Sequence, residues 1–445
     1  MRFISNHSWI SLFVIFSISY QSYGQVDDNN QAESYKKRVL ETSEIDFLSS
    51  YYNQSGNNAA VSGGIGSEKL TDATGTIVMS IPMNDDDVLT IDAGVSAYTS
   101  ASSSNIDPFD TNKNADPFVA SSGASSSDLW SSLSAHYSHS SDDRNSNWTG
   151  KLSFASEYDY FSLGFGGSFS KSFNEKNTDL TLTANVYIDS WNTIYPIELR
   201  PFGKGGDGLD HRFFENKTII GNSQYNPQFS EFSDKKRNSY SLGLVFSQIL
   251  SKKLQMSLAS DLVFQRGLLS TPFQRVYFSD IEDSFIDNFQ LADDIERLPN
   301  NRFKVALGGR LHYYINEWLV MRTFYRYYWD DWGINSQTAS LEAPIKVGNK
   351  FTIYPSYRFY KQSAADYFAA YEEHYSTESF YTSDFDLSDY TADQLGIGAS
   401  YTDVFTKWHL WHFGLKSIDL KYASYKRNTG LKSQIITAGI KFLAD

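Results

Sequence analysis

The chain has no cysteine among its 445 residues. Thiol catalysis and Cys-ligated metal sites are excluded, and the fold needs no disulfide even in an oxidising compartment. After the first 25 residues there is also no run long and apolar enough for a membrane helix. An excess of positive charge is missing as well. The formal net charge is −14, which argues against a nucleic-acid partner and suits exposed loops rich in Asp and Glu. No linker or composition shift divides the chain, although a soluble protein of this size usually splits into two or three domains.

What is present is alternation. Phe161, Leu163, Phe165 and Phe169 share one face of a strand, while Ser162, Gly164, Gly166, Ser168 and Ser170 share the other. Leu180, Leu182, Ala184, Val186 and Ile188 oppose Thr181, Thr183, Asn185, Tyr187 and Asp189. Successive side chains of a strand point to opposite faces, so each segment has one apolar and one polar side. A soluble sandwich would show the same pattern, and loop length separates the two. Sixteen strands are expected at 58–69, 74–83, 87–100, 128–140, 147–157, 160–172, 178–192, 237–250, 253–266, 302–315, 317–330, 333–347, 350–362, 392–405, 408–424 and 430–443, with 14 to 18 open. The even-numbered connections are short turns such as Asn84-Asp85-Asp86, Ser251-Lys252 and Thr406-Lys407. The long connections, 101–127, 193–236, 267–301 and 364–391, are all odd-numbered and so fall on one side. An even strand number with short turns on one side and long loops on the other is the pattern of a bacterial outer-membrane barrel. The fold class is thus all-β, a transmembrane antiparallel β-barrel.

The high aromatic content, with 30 Tyr and 32 Phe, supplies two interfacial girdles. Trp130, Trp148, Trp191, Trp318, Trp329, Trp332 and Trp408 lie near strand ends. Trp411, Phe413 and Leu415 shift phase to Ile418, Leu420 and Tyr422, which predicts a β-bulge near Lys416 and Ser417. Ile436, Ala438, Ile440 and Phe442 form a final apolar face of the kind that barrel-assembly machinery recognises. At the other end, Arg2, the apolar stretch Trp9 to Ile18 and the site Ser22-Tyr23-Gly24 read as a cleaved signal peptide. The expected organisation is a signal peptide over 1–24, a periplasmic or lumen-docked lead-in over 25–57, and the barrel over 58–445. Within the lead-in, Tyr35 to Tyr52 fits a short helix or an extra strand.

The sharpest chemical constellation is basic. Placing Phe303, Val305, Leu307 and Leu311 on lipid turns Arg302, Lys304, Arg310 and His312 inward. The same reasoning turns Arg322 and Arg326 inward on the next strand, and Arg358 inward on strand 350–362. A charge on the lipid face costs about 2–4 kcal/mol at the midplane, which enforces that direction. Two readings fit. The arginines form a constriction that selects anionic solutes, since the guanidinium fork matches carboxylate and phosphate. Alternatively they pair with an acidic loop folded into the lumen, through Asp283, Asp293, Asp294 and Glu296.

Other signals are thinner. Asp110-Thr111-Asn112-Lys113-Asn114-Ala115-Asp116 spaces oxygen ligands as a Ca²⁺ loop does, but Ala115 stands where the turn wants Gly, and Ser121 where a bidentate Glu is expected. Turn formation accounts for it, so no metal and no cofactor is expected. Gly203 to Gly208 is Gly-rich without the strand–helix context of a phosphate loop. The eight His are scattered, and no catalytic motif is visible. A Ser, His and acid at the outer rim would make a barrel hydrolase, the third reading after channel and plugged scaffold.

The stretches Ser270 to Phe278, Asn288 to Pro299, Ser363 to Phe368 and Phe324-Tyr325-Arg326-Tyr327-Tyr328-Trp329-Asp330-Asp331-Trp332-Gly333 carry a resemblance. The chain resembles, over nearly its whole mature length, an uncharacterised domain-of-unknown-function family of Gram-negative outer-membrane barrels. The resemblance implies export to the outer membrane, contact with its lipids and lipopolysaccharide, and genetic company with a small lipoprotein, a thioredoxin-like protein and a flavin transferase. It therefore implies a lipoprotein or extracytoplasmic redox protein as partner. With no Cys, this chain would be the pore or scaffold of such a system and not its redox carrier.

Overall fold

The computed structural model describes residues 37–98 and 128–444. The signal peptide over 1–24 and the Asp110–Asp116 loop lie outside the described residues. Sixteen long strands follow one another: β1 Glu44–Ser55, β2 Leu70–Pro82, β3 Asp87–Tyr98, β4 Asp128–Ser140, β5 Ser146–Ser156, β6 Tyr160–Phe173, β7 Thr178–Trp191 and β8 Lys236–Ser251. The second half is β9 Leu254–Gly267, β10 Asn301–Asn316, β11 Leu319–Asp330, β12 Asn335–Glu342 with its continuation Ile345–Val347, β13 Phe351–Gln362, β14 Tyr390–Thr402, β15 Phe413–Arg427 and β16 Lys432–Ala444. Each pairs antiparallel with its neighbour, and β1 pairs with both β2 and β16. The sheet therefore closes on itself and leaves no edge, the condition for spanning lipid with strands.

The apolar faces point outward. Leu133, Leu152, Phe165, Leu182, Leu244, Leu307, Ile353, Leu420 and Ile436 are all exposed on the exterior. A soluble protein would bury such a band. Ser, Thr, Gly, Asn and the charges alternate with them and line the interior, as at Ser162–Asp189, whose side chains hydrogen bond at 2.7 Å. The fold is a closed transmembrane barrel of sixteen antiparallel strands.

Three features differ from expectation. The first strand is Glu44–Ser55, inside the predicted lead-in, and 58–69 is not a strand. The alternation of β1 is blurred because its register puts Leu48 inward and Ser49 outward. The segment that follows turns through Gly63, Gly64 and Gly66, all at positive φ, which no strand tolerates. A Cβ on Gly63 would stand 2.7 Å from the Tyr277 ring. Second, β12 breaks at Ala343-Pro344, where proline cannot donate to the ladder. Third, the connection 403–412 is not a tight turn at Thr406-Lys407. It is an extended hairpin on the side where every other connection has five residues or fewer. The bulge near Lys416 is present, as a register shift between Leu415 and Ser417.

Tryptophan placement divides by face. Trp148, Trp318, Trp329 and Trp408 are exposed. Trp332 is buried under the long loops, and Trp130 lines an interior recess. Trp191 sits beneath the Arg237 guanidinium.

Candidate functional site

Two structures occupy the interior and its long-loop end. The first is a cap built from residues 56–69, 192–235, 268–300 and 363–389. Tyr195, Leu199, Phe214, Tyr225, Phe229, Tyr277, Ile286, Phe289, Leu291, Ala292 and Ile295 form its apolar core. At its centre Arg275 and Glu198, both fully buried, make a two-pronged ion pair at 2.6 and 3.1 Å. Arg275 Nη1 also donates to the Val61 carbonyl at 3.1 Å and so ties three loops together. Desolvated charges in this position hold only because the fork is satisfied on both prongs. The cap is joined to the wall by Gln362, which donates to the carbonyls of Asp386 and Ser388, and by Arg427, which donates to Asp386 at 2.6 Å.

The acidic loop residues take partners inside this cap and not on the basic wall. Asp294 receives Arg297 at 2.9 Å and the Tyr381 hydroxyl at 2.5 Å. Asp293 accepts the Phe278 N–H at 2.8 Å, and Asp283 accepts from Gln290 at 3.0 Å. Glu296 accepts from the Thr271 N–H at 2.6 Å and from the Thr382 hydroxyl at 2.5 Å. These acids and the wall arginines therefore form no ladder among the described residues. Burial is the main reason that several carboxyls of the cap bind protons more tightly than usual. It pushes Glu296 up to about 8, with Asp384 nearby adding to the effect. It pushes Asp293 up to about 7, and Asp384 itself up to about 6.

The second structure is the wall formed by β10 to β13. Its two outer basic residues meet an acid of the wall itself. Arg302 binds Asp330 at 2.5 and 3.0 Å and lies 4.3 Å over the Trp332 ring, while Lys304 faces Asp330 across the ladder. Nearer the short-turn end, Arg322 binds Glu342 at 2.9 Å, and His312 stands opposite Arg322. Between these neutralised zones lie Arg310, Arg326 and Arg358. Among the described residues, none of the three has a carboxylate at ion-pair distance. Arg310 stacks 5.4 Å over Phe324, and the Arg326 Nε is buried without a partner. Register puts Arg310, Phe324, Ser340 and Arg358 on one hydrogen-bonded row, with Arg326 one row toward the long loops. The Phe324 ring packs over Gly308, 3.5 Å from where a Cβ would stand. Inward-facing Asp72 and Asp92 lie on β2 and β3, on the far side of a sixteen-strand ring. Asp92, Trp130, Lys151 and Tyr187 border an interior recess of about 360 Å³ there.

Sequence reading placed the basic residues but missed their neutralisers. Asp330 and Glu342 occupy the same inward positions, two residues from Tyr328 and Ser340, and counting along the strand would have found them. Among the described residues, no group of three His, Asp or Glu is arranged to hold a metal ion. The contact between Ser134 Oγ and His136 Nε2, at 3.2 Å, lies on the barrel wall and not at the outer rim.

A transmembrane β-barrel with a loop cap and an arginine patch on one wall is the class that this geometry defines. The chain belongs to the family described as "Protein of unknown function (DUF3570)", whose model matches residues 11–434. Among curated proteins no relative matches. Solved structures with a similar course include a bacterial polysaccharide outer membrane secretin, at 9% identity and a TM-score of 0.45, covering 92% of this chain and 100% of that one. A TodX monoaromatic hydrocarbon channel mutant matches at 8% identity and a TM-score of 0.40, covering 91% of each chain. OccK1 (OpdK) of Pseudomonas aeruginosa matches at 8% and 0.37, covering 91% and 99%.

Proposed function

We propose that the protein is an outer-membrane channel that favours anionic, carboxylate- or phosphate-bearing solutes. The observation that carries this reading is the set of mid-wall arginines, Arg310, Arg326 and Arg358, which among the described residues have no carboxylate partner and lie between two zones where basic residues are neutralised. A buried guanidinium nitrogen such as Arg326 Nε is costly unless an anion or water completes it, so the patch suits a transient anionic guest. Acids on the opposite wall would set a field across the lumen that orients charged solutes. In this reading the long loops face outward and the short turns face the periplasm, after export by a cleaved signal peptide. The role is not enzymatic, and the chain needs no cofactor.

Single-channel recording of the refolded protein in a planar bilayer tests the proposal, with Arg326→Ala beside the native chain. Steady conductance that favours anions, and that loses this preference in the variant, supports it. A folded, heat-modifiable barrel that does not conduct would sink it. The dense core of the cap favours the second reading, a plugged barrel that holds a lipoprotein or extracytoplasmic redox partner, and a silent bilayer with a co-purifying protein would point there.

A further inference from the structure

The hairpin between β14 and β15 stands apart from every other connection on the short-turn side. Its side chains are apolar and unusually bare: Phe405 is 77% exposed, Trp408 70% and Trp411 87%, with Val404 and Leu410 also exposed. It is not a loose loop. Asp403 accepts the Lys407 N–H at 2.9 Å and faces the Lys350 ammonium at 3.6 Å. The Leu415 N–H bonds the Trp408 carbonyl at 2.7 Å, and His409 and Leu410 pair with Gly414 and Phe413. At the tip Trp411 is held at a φ of 56°, a left-handed conformation uncommon for a bulky residue.

Register gives the direction of this display. Leu415 opposes Phe442 on the exterior of β16, and Leu410 opposes Phe413 on the same side. Trp408, Leu410, Phe413 and Leu415 thus prolong the lipid-facing stripe of the barrel beyond the end of its strands. The charges interleaved with them are basic, Lys407 and Lys416, flanked by His409 and His412, and the one acid, Asp403, is buried. In a chain of net charge −14 this is a local inversion.

We propose that the 403–416 hairpin is an interfacial anchor that sinks its aromatic face into the short-turn-side leaflet and reads anionic phospholipid headgroups with its lysines. Indole rings settle at the headgroup level, and cations near that level are attracted to anionic lipid. Continuity with the barrel's lipid-facing stripe favours lipid over a protein partner. The inference does not depend on whether the barrel conducts.

The absence of native cysteine allows a clean test. A fluorophore on Trp411→Cys is compared with one on Lys252→Cys, in the short β8–β9 turn, in full-length protein reconstituted into vesicles. One set is phosphatidylcholine, and the other is phosphatidylcholine mixed with phosphatidylglycerol. Heat-modifiability checks that each variant is folded. The expected result is severalfold protection of the label at 411 from iodide, strongest with phosphatidylglycerol and weakened by salt or by Lys407→Glu with Lys416→Glu. A label at Leu410→Cys should behave in the same way, which guards against an effect of removing Trp411. Quenching at 411 equal to that at 252 in both lipids would overturn the anchor. Protection that ignores headgroup charge and salt would overturn the reading of anionic lipid.

Discussion

The barrel wall and the loop cap handle charge in opposite ways. The wall pairs some of its charges across neighbouring strands and, among the described residues, leaves three arginines in its middle without a carboxylate partner. The cap removes its charges from water. It pairs Arg275 with Glu198 completely, and its burial raises the proton affinity of Glu296, Asp293 and Asp384. The difference teaches what each part is for. A lined passage needs charge that a passing solute can reach, and a lid needs internal bonds that solvent cannot compete for.

The sharpest way to break the comparison is to leave a charge stranded in the cap. Arg275→Ala abandons a fully buried Glu198 and should destabilise the cap by about 3–5 kcal/mol while leaving the barrel folded. Limited proteolysis of the 192–235 and 268–300 loops, with heat-modifiability as the check on the barrel, measures both halves of that statement. The wall has its own counterpart. Leu307→Arg puts a cation on the lipid face and should cost about 2–4 kcal/mol of barrel stability in urea titrations, with little change in cap proteolysis.

The pH response separates the two regions next. Glu296 ionises at about 8 in the fold against an ordinary 4.5, and Asp293 at about 7 against 3.8. A raised carboxyl means that the folded cap binds protons more tightly than the open one. Its stabilisation is full below about pH 4 and is lost as pH rises through about 7 to 8. Cap proteolysis should therefore accelerate across that window, and Glu296→Gln should flatten the upper part of the profile. A profile that steepens toward acid would contradict the assignment. The smallest effect belongs to the wall's exposed pair. Arg322 is half exposed, so Arg322→Ala should cost only about 0.2–1 kcal/mol, read from the same urea titrations.

Legibility in the sequence followed the same division. Lipid outside and water inside impose a period of two on every spanning strand, so fifteen of the sixteen positions could be read from alternation. The exception, β1, carries Leu48 and Ser49 on the faces opposite to expectation. The cap left no such signature. Its decisive contacts join residues far apart in the chain, such as Arg275 with Glu198 and Glu296 with Thr382, and no periodicity links them. The acids of 283–296 suggested partners for the basic wall by charge alone, yet backbone N–H groups, Arg297 and Tyr381 reached them first. The 403–412 hairpin is not legible in the sequence because Thr406-Lys407 has the residues of a tight turn, and the exposed aromatics that follow resemble one more strand.

The central claim concerns the three open arginines, and reversal potential under a potassium chloride gradient tests it most directly. The native chain should reverse on the anion-selective side. Replacing Arg310, Arg326 and Arg358 together with Ser should move the reversal potential toward zero or to the cation side, whereas Arg302→Ser combined with Asp330→Asn, which removes a pair of zero net charge, should change it little. An unchanged potential in the triple variant, from a barrel that still folds and conducts, would contradict the account.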